Sequence, residues 1–179
     1  MTIPRIRPAA EADLEAVRQI YEHDVLNGTA SFEIDPPDFE SIRERWRRVG
    51  QAGLPFLVAY GEDNEVFAFA YALPYRPRPA YRFTVEHSIY VAPTWRRQGI
   101  GGHLLDRLVE ALELCGVREI VGIIGDSANR ASLLAHQRAG FRQAGTLQNV
   151  GWKFDRWLDT VIVQRSLEPD TRKPPKAGP

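Results

Sequence analysis

Residues 91–102 read Val-Ala-Pro-Thr-Trp-Arg-Arg-Gln-Gly-Ile-Gly-Gly and join a strand-like apolar run to an amphipathic helix through Gly99, Gly101 and Gly102. A strand that feeds a helix through so short a turn has to pack against it, which directs the chain to a layered α/β unit. Glycines let a ligand reach the backbone, and the first helical turn exposes amide hydrogens at the positive end of the helix dipole. Together they make an anion site suited to a pyrophosphate. Arg96 and Arg97 are expected to add mobile positive charge beside it, with Gln98 and Ile100 completing the stretch.

Periodicity supplies the elements on either side. Residues 3–7 alternate as a short strand, and Leu14, Val17, Ile20, Tyr21 and Val25 recur at helical spacing within 10–27 before Gly28 closes the helix. A second helix is expected over 39–49. Residues 55–60 and 66–73 read as strands around a turn at 61–64, and 83–91 as a further strand. The Pro-rich piece 74–79 is a loop inside the domain, because patterned segments flank it. Leu104, Leu105, Leu108, Val109 and Leu112 form one apolar face of a helix over 101–115, which Gly116 ends. The unbroken apolar run 120–124 suggests a buried strand, followed by a helix over 129–139 capped by Gly140. Strands over 142–151 and 158–166 complete the order β-α-α-β-β-β-α-β-α-β-β. The fold class is thus α/β, a single domain at 1–167 with a mixed central sheet flanked by helices. Residues 168–179 hold Pro174, Pro175 and Pro179 and almost nothing apolar, and are read as a disordered tail.

The 23 basic and 23 acidic residues balance to a formal charge of zero, so no overall attraction to nucleic acid or to an anionic membrane is expected. The longest apolar stretch, 66–73, is far below the roughly 20 residues a membrane helix needs, and no secretory layout opens the chain. The cytoplasm is the expected compartment. Cys115 is the sole cysteine and the four histidines form no His-Glu-x-x-His pattern, so neither an internal disulfide nor a metal site is expected. The Gly-x-Ser-x-Gly elbow of a serine hydrolase is missing as well.

Three phosphate-binding patterns compete for the glycine-rich turn. A Walker-type loop needs Gly-Lys before Ser or Thr, and the lysines here are Lys153, Lys173 and Lys176. A dinucleotide fingerprint needs a glycine where Leu104 stands. The third pattern, Arg/Gln-x-x-Gly-x-Gly/Ala after a strand and a short loop, is met by Arg96, Gly99 and Gly101. This stretch resembles the acyl-coenzyme A site of the GCN5-related (GNAT) N-acetyltransferases. Asn129-x-x-Ser132-x-x-x-His136-x-x-x-Gly140-Phe141 is similar to the next helix of that superfamily, and Ile6-Arg7-Pro8-Ala9 with Asp13-Leu14 to its opening. More narrowly, 81–91 and 150–159 resemble the phosphinothricin and methionine sulfoximine N-acetyltransferases. The resemblance covers nearly the whole chain. It implies the GNAT fold, acetyl-coenzyme A as co-substrate and a homodimer.

Acetyl transfer to an amine requires a neutral amine, a polarised thioester carbonyl and a protonated or stabilised leaving thiolate. Glu86, on the strand that feeds the turn, is the candidate base, and the resemblance implies the same role; a glutamate facing solvent or paired with an arginine is the plainer reading. His136 stands where many superfamily members carry a tyrosine that protonates the coenzyme A sulfur and where the phosphinothricin-type relatives carry histidine. It is expected either to donate a proton or hydrogen bond, or to be a helix histidine packed on its neighbours. His87 should point away from the Glu86 face, because strand side chains alternate. The resemblance implies backbone amides of Ile89, Tyr90 and Val91 as donors to the thioester oxygen. Asn129 can cap its helix or accept the pantetheine arm, with Ser132 one turn later.

On the acceptor side, Arg76, Arg78 and Tyr81 lie in or next to the Pro-rich loop, where guanidinium groups suit two-point recognition of a carboxylate or phosphinate; a solvated surface loop is the alternative. Phe32 matches the segment that walls the substrate in the relatives. Trp152, Lys153 and Trp157 are expected at the far side of the site, at a dimer contact or in the core. The expected activity is acetylation of the α-amino group of a small amino-acid analogue. Alternatives are a protein N-terminus or another small amine as acceptor, or a non-catalytic acyl-coenzyme A sensor; the clustered arginines disfavour a polyamine.

Overall fold

The computed structural model describes residues 4–167; Ile3 of the expected first strand and the expected tail at 168–179 lie outside them. Seven strands form one sheet in the order β1-β2-β3-β4-β5-β7-β6, with β1 at Arg5–Pro8, β2 at Phe56–Tyr60, β3 at Val66–Pro74, β4 at Thr84–Val91, β5 at Glu119–Gly125, β6 at Arg142–Lys153 and β7 at Arg156–Ser166. Strands β4 and β5 run parallel, and the other neighbours are antiparallel. The helices among the described residues are α1 (Leu14–Asn27), α2 (Phe39–Gln51), α3 (Ile100–Leu114) and α4 (Arg130–Arg138). Their order along the chain is the one that periodicity predicts.

Strand β3 shows how the layers are built. It alternates Phe67, Phe69 and Tyr71 with Ala68, Ala70 and Ala72, all buried. Phe69 meets Tyr21 of α1 edge-on at 6.5 Å between ring centroids, so the aromatic set faces α1 and α2. The alanines then face α3, since successive strand side chains point to opposite sides. Small residues there let the leucine face of α3 come close, and Leu104, Leu105, Leu108 and Leu112 are each at most 1% exposed. Burial of one such side chain is worth about 1.5–3 kcal/mol.

Element ends follow local chemistry. Asp38 caps α2 by accepting from the Ser41 amide at 2.8 Å. Helix α1 begins at Leu14 rather than at residue 10, because Glu11–Asp13 forms a tighter 3-10 turn. Both terminal nitrogens of Arg7 reach Asp13, at 2.6 and 2.8 Å, and pin this turn to β1. Those hydrogen bonds hold the Asp13 carboxyl below its usual range, against the opposing effect of burial. At the other end of the chain, the gap expected between 151 and 158 is shorter: β6 runs to Lys153 and β7 starts at Arg156. Phe154 and Asp155 make a two-residue turn, each with φ of 53°. Such turns favour Asn-Gly, and without that pair the hairpin left no sequence signal.

One irregularity positions the site. Pairing between β4 and β5 covers only Thr84 to His87 against Glu119 to Gly122. Beyond it, β4 stays on β3 as far as Val91 opposite Ala68, while β5 follows β7 as far as Gly125 opposite Thr160. The sheet is therefore open between the ends of its two central strands.

Candidate active site

A cavity of about 380 Å³ lies where β4 and β5 part. Its wall is built from residues 86–90 of β4, 123–125 at the end of β5, the loop residues 30–33, Asn129, and Ser132 and His136 of α4. On β4, Tyr90 packs edge-on against Tyr21 of α1 at 4.9 Å, so Glu86, two alternations earlier, faces the α1 side. His87 points the other way and stacks near His136 of α4, with ring centroids 5.0 Å apart, as the alternation predicts. The cavity thus passes through the sheet and touches both helix layers.

Glu86 is half-buried. Loss of water raises its carboxyl above the usual carboxylate range, and the charge of Arg76 works in the opposite direction. From Ser88 to Val91 the β4 backbone has no strand partner on the β5 side, so alternate amides at 88–91 face the opening.

The expectation that His136 donates a proton meets an obstacle in its hydrogen bonds. Nδ1 lies 2.7 Å from the Ser132 carbonyl oxygen, which can only accept, so the ring proton is on Nδ1. Nε2 is then an acceptor, and it lies 3.2 Å from His87 Nε2, which must be the donor. His87 Nδ1 is left bare, buried and without a hydrogen-bond partner among the described residues. Burial lowers both imidazoles below their ordinary pKa, for His87 with help from His136. Two neutral rings in this arrangement leave no N–H of His136 for a departing thiolate.

At the glycine-rich turn, Arg97 and Gly99 take φ of 60° and 81°, the left-handed region that turns the chain from β4 into α3. The first helical bond in this turn runs from the His103 amide to the Gly99 carbonyl, so the amides of Ile100, Gly101 and Gly102 precede the helical ladder. A Cβ placed on Gly99 or Gly102 would meet nothing within 4 Å, so the main chain is open to a ligand there. Arg96 departs from its expected mobility: its Nε donates to the Val91 carbonyl at 2.9 Å and its Nη2 to Asp24 Oδ1 at 2.8 Å. It ties the turn to α1. Burial raises the Asp24 carboxyl, and the Arg96 charge opposes that rise. Arg97 and Gln98 stay exposed, with the Gln98 amide donating to the Thr94 carbonyl at 3.2 Å.

Of the acceptor-side residues, Phe32 lines the cavity. Arg76, Arg78 and Tyr81 are exposed on the loop after β3 and stand outside the cavity wall. Arg76 lies over the Tyr75 ring at 4.9 Å, and its charge reaches Glu86. Asn129 caps α4 by accepting from the Ser132 amide at 3.2 Å. Lys153 is buried and donates to the Ser31 carbonyl at 2.8 Å, which props up the 30–33 loop from the end of β6. Trp152 and Trp157 are 53% and 59% exposed, outside the core. Sequence reasoning placed Phe32 in a wall segment spanning 29–33 but missed Ile123 and Gly125 as wall residues. For Ile123 the signal was hidden in an apolar run that reads as buried throughout, yet it is 40% exposed at the opening.

Residues 14–141 match the Acetyltransferase (GNAT) family. The chain is 49% identical over 162 residues to a phosphinothricin N-acetyltransferase of Alcaligenes faecalis, covering 90% of this chain and 82% of that protein. It is 38% identical over 170 residues to an L-methionine sulfoximine/L-methionine sulfone acetyltransferase of Pseudomonas paraeruginosa, covering 95% of this chain and 98% of that one. A crystal structure of a GNAT superfamily phosphinothricin acetyltransferase from Sinorhizobium meliloti in complex with AcCoA superposes with a TM-score of 0.95 at 38% identity, covering 99% of this chain and 95% of its own. Alongside the opened sheet and the glycine-rich turn, these matches establish the class: the chain belongs to the GNAT acetyltransferase family. It is an N-acetyltransferase whose acyl donor is acetyl-coenzyme A.

Proposed function

We propose that this enzyme acetylates the α-amino group of a small amino-acid analogue of the phosphinothricin, methionine sulfoximine or methionine sulfone type, with Glu86 as general base. The observation that carries this reading is one through-sheet cavity holding a half-buried carboxylate beside an unpaired strand edge. The acceptor class is supported by what the relatives are called. The acceptor arrives as an ammonium, and Glu86 takes its proton directly or through water; the raised carboxyl pKa narrows the gap to the amine and eases that transfer. The neutral nitrogen attacks the thioester carbonyl, whose oxygen gains charge against the main-chain amides of Ile89 and Val91, the alternate pair on the side β5 has left. As the carbonyl re-forms, the C–S bond breaks and coenzyme A leaves as a thiolate that takes up the proton the attacking nitrogen gives up. The amides at 99–102 hold the diphosphate of the donor, while His136 shapes the α4 side of the cavity. Arg76 keeps Glu86 ionised and meets the acceptor's anionic head, with Arg78 and Tyr81 beside it on the same loop. The same reading has the enzyme act in the cytoplasm, where acetyl-coenzyme A is supplied.

Release of free thiol from acetyl-coenzyme A tests it, measured against phosphinothricin, methionine sulfoximine, methionine sulfone, ordinary amino acids, polyamines and peptides. The amino-acid analogues should give the highest kcat/KM; turnover with peptides alone would overturn the acceptor assignment. In the same assay Glu86→Gln should lower kcat by about a hundredfold or more and leave the acetyl-coenzyme A KM within about twofold.

A further inference from the structure

Phe32 owes its position to two glycines remote from it in sequence. A Cβ built on Gly151 of β6 would fall 2.3 Å from Phe32 Cε2, 2.5 Å from Cδ2 and 3.0 Å from Cζ. One built on Gly125, at the end of β5, would fall 2.9 Å from Phe32 Cε1 and 2.1 Å from the Thr29 carbonyl oxygen. Nothing larger than hydrogen fits beside the ring at either place. The two glycines differ in one respect: Gly125 is crowded by backbone, whereas the nearest atoms to Gly151 all belong to the Phe32 ring. Gly151 comes this close because β6 is irregular just before it. The register with β7 slips between Leu147 and Gly151, Asn149 takes φ of 54°, and its amide donates to Asp159 Oδ1 at 3.1 Å. An insertion of that kind bends a strand and re-aims the residues after it. The ring it seats is 37% exposed and borders the same cavity as Glu86.

We propose that Gly151 is a specificity-determining position: by admitting the Phe32 ring it fixes the wall on the acceptor side of the cavity, so that slender, unbranched amino-acid side chains are accepted and bulky ones are refused. This rests on the acceptor reading above. Gly151 touches no reacting atom; it acts through Phe32, and the seat is made by the β6 irregularity rather than by the loop that carries the ring.

A double-mutant cycle decides it, with kcat and KM measured for methionine sulfone and for phenylalanine as acceptors in wild type, Gly151→Ala, Phe32→Ala and the double variant. Gly151→Ala should raise the methionine sulfone KM about tenfold or more and leave the acetyl-coenzyme A KM within about twofold. Phe32→Ala should raise the ratio of phenylalanine to methionine sulfone kcat/KM about tenfold, and adding Gly151→Ala to it should change that ratio by less than about twofold. Equal losses from Gly151→Ala in both backgrounds, or a parallel rise in both KM values, would overturn the proposal. Should Gly151→Ala fail to fold, Phe32→Ala alone still decides, since an unchanged selectivity ratio sinks the wall. If wild type ignores amino acids but acetylates another amine, the acceptor reading falls, while the same cycle run on that amine still reports on Gly151.

Discussion

At the residue scale, the pH response depends on how Glu86 and Arg76 share one charge. On the proposed mechanism Glu86 works only as a carboxylate, so kcat/KM is lost as the pH falls through its pKa, which burial places above the ordinary carboxylate value of about 4.3. Arg76 favours the ionised form and therefore lowers that pKa. Arg76→Ala should move the acidic limb of the pH profile to higher pH, and Arg76→Lys should return most of the way; a limb that stays put would separate the two residues. His136 invites the opposite outcome. Its Nδ1 proton is committed to the Ser132 carbonyl and its Nε2 accepts from His87, so His136→Phe should reduce kcat by less than about tenfold in the thiol-release assay. A loss of a hundredfold would restore it as the proton donor. Glu86 and Phe32 were legible as cavity-wall residues because they sit in segments that resemble those of the relatives. The engagement of Arg96 with Asp24, and of His136 with His87, was not legible, since each partner lies on an element that only folding brings near.

At the scale of elements, the leucine spacing of α3 and the Phe/Ala alternation of β3 announce themselves, because each repeats the geometry of its own backbone. The divergence of β4 from β5 does not, since pairing is a property of two segments more than thirty residues apart. The turn at Phe154 and Asp155 was hidden for a different reason: its left-handed conformation begins at Phe154, a bulky residue that seldom chooses it. The junction into α3 yields a separable test. A Cβ on Gly101 would meet Val91 Cγ2 at 3.5 Å, an ordinary contact, so the fold accepts a Cβ there, whereas on the proposed donor site a side chain would stand where a phosphate has to reach the backbone. Gly101→Val should raise the acetyl-coenzyme A KM about tenfold while the acceptor KM holds within about twofold. A rise in the acceptor KM instead would remove the turn from the donor site.

At the scale of the whole molecule, the outer end of the sheet is unusually apolar. Leu147, Val150, Trp152, Phe154 and Trp157 are each at least half exposed, all on β6, β7 or the turn between them, and β6 is an edge strand. An edge of that composition is expected to be covered by a second copy of the chain, as the resemblance implied. Sedimentation velocity should show a dimer that Trp157→Glu converts to monomer; a monomeric parent protein would overturn that expectation. The opening between β4 and β5 bears on traffic rather than on assembly. Because its wall draws on both layers, the proposed mechanism lets the nucleotide-bearing molecule and the amine enter by separate doors and meet in the middle. Neither has to wait for the other to leave, and the acetyl group can pass hand to hand without first being parked on the protein.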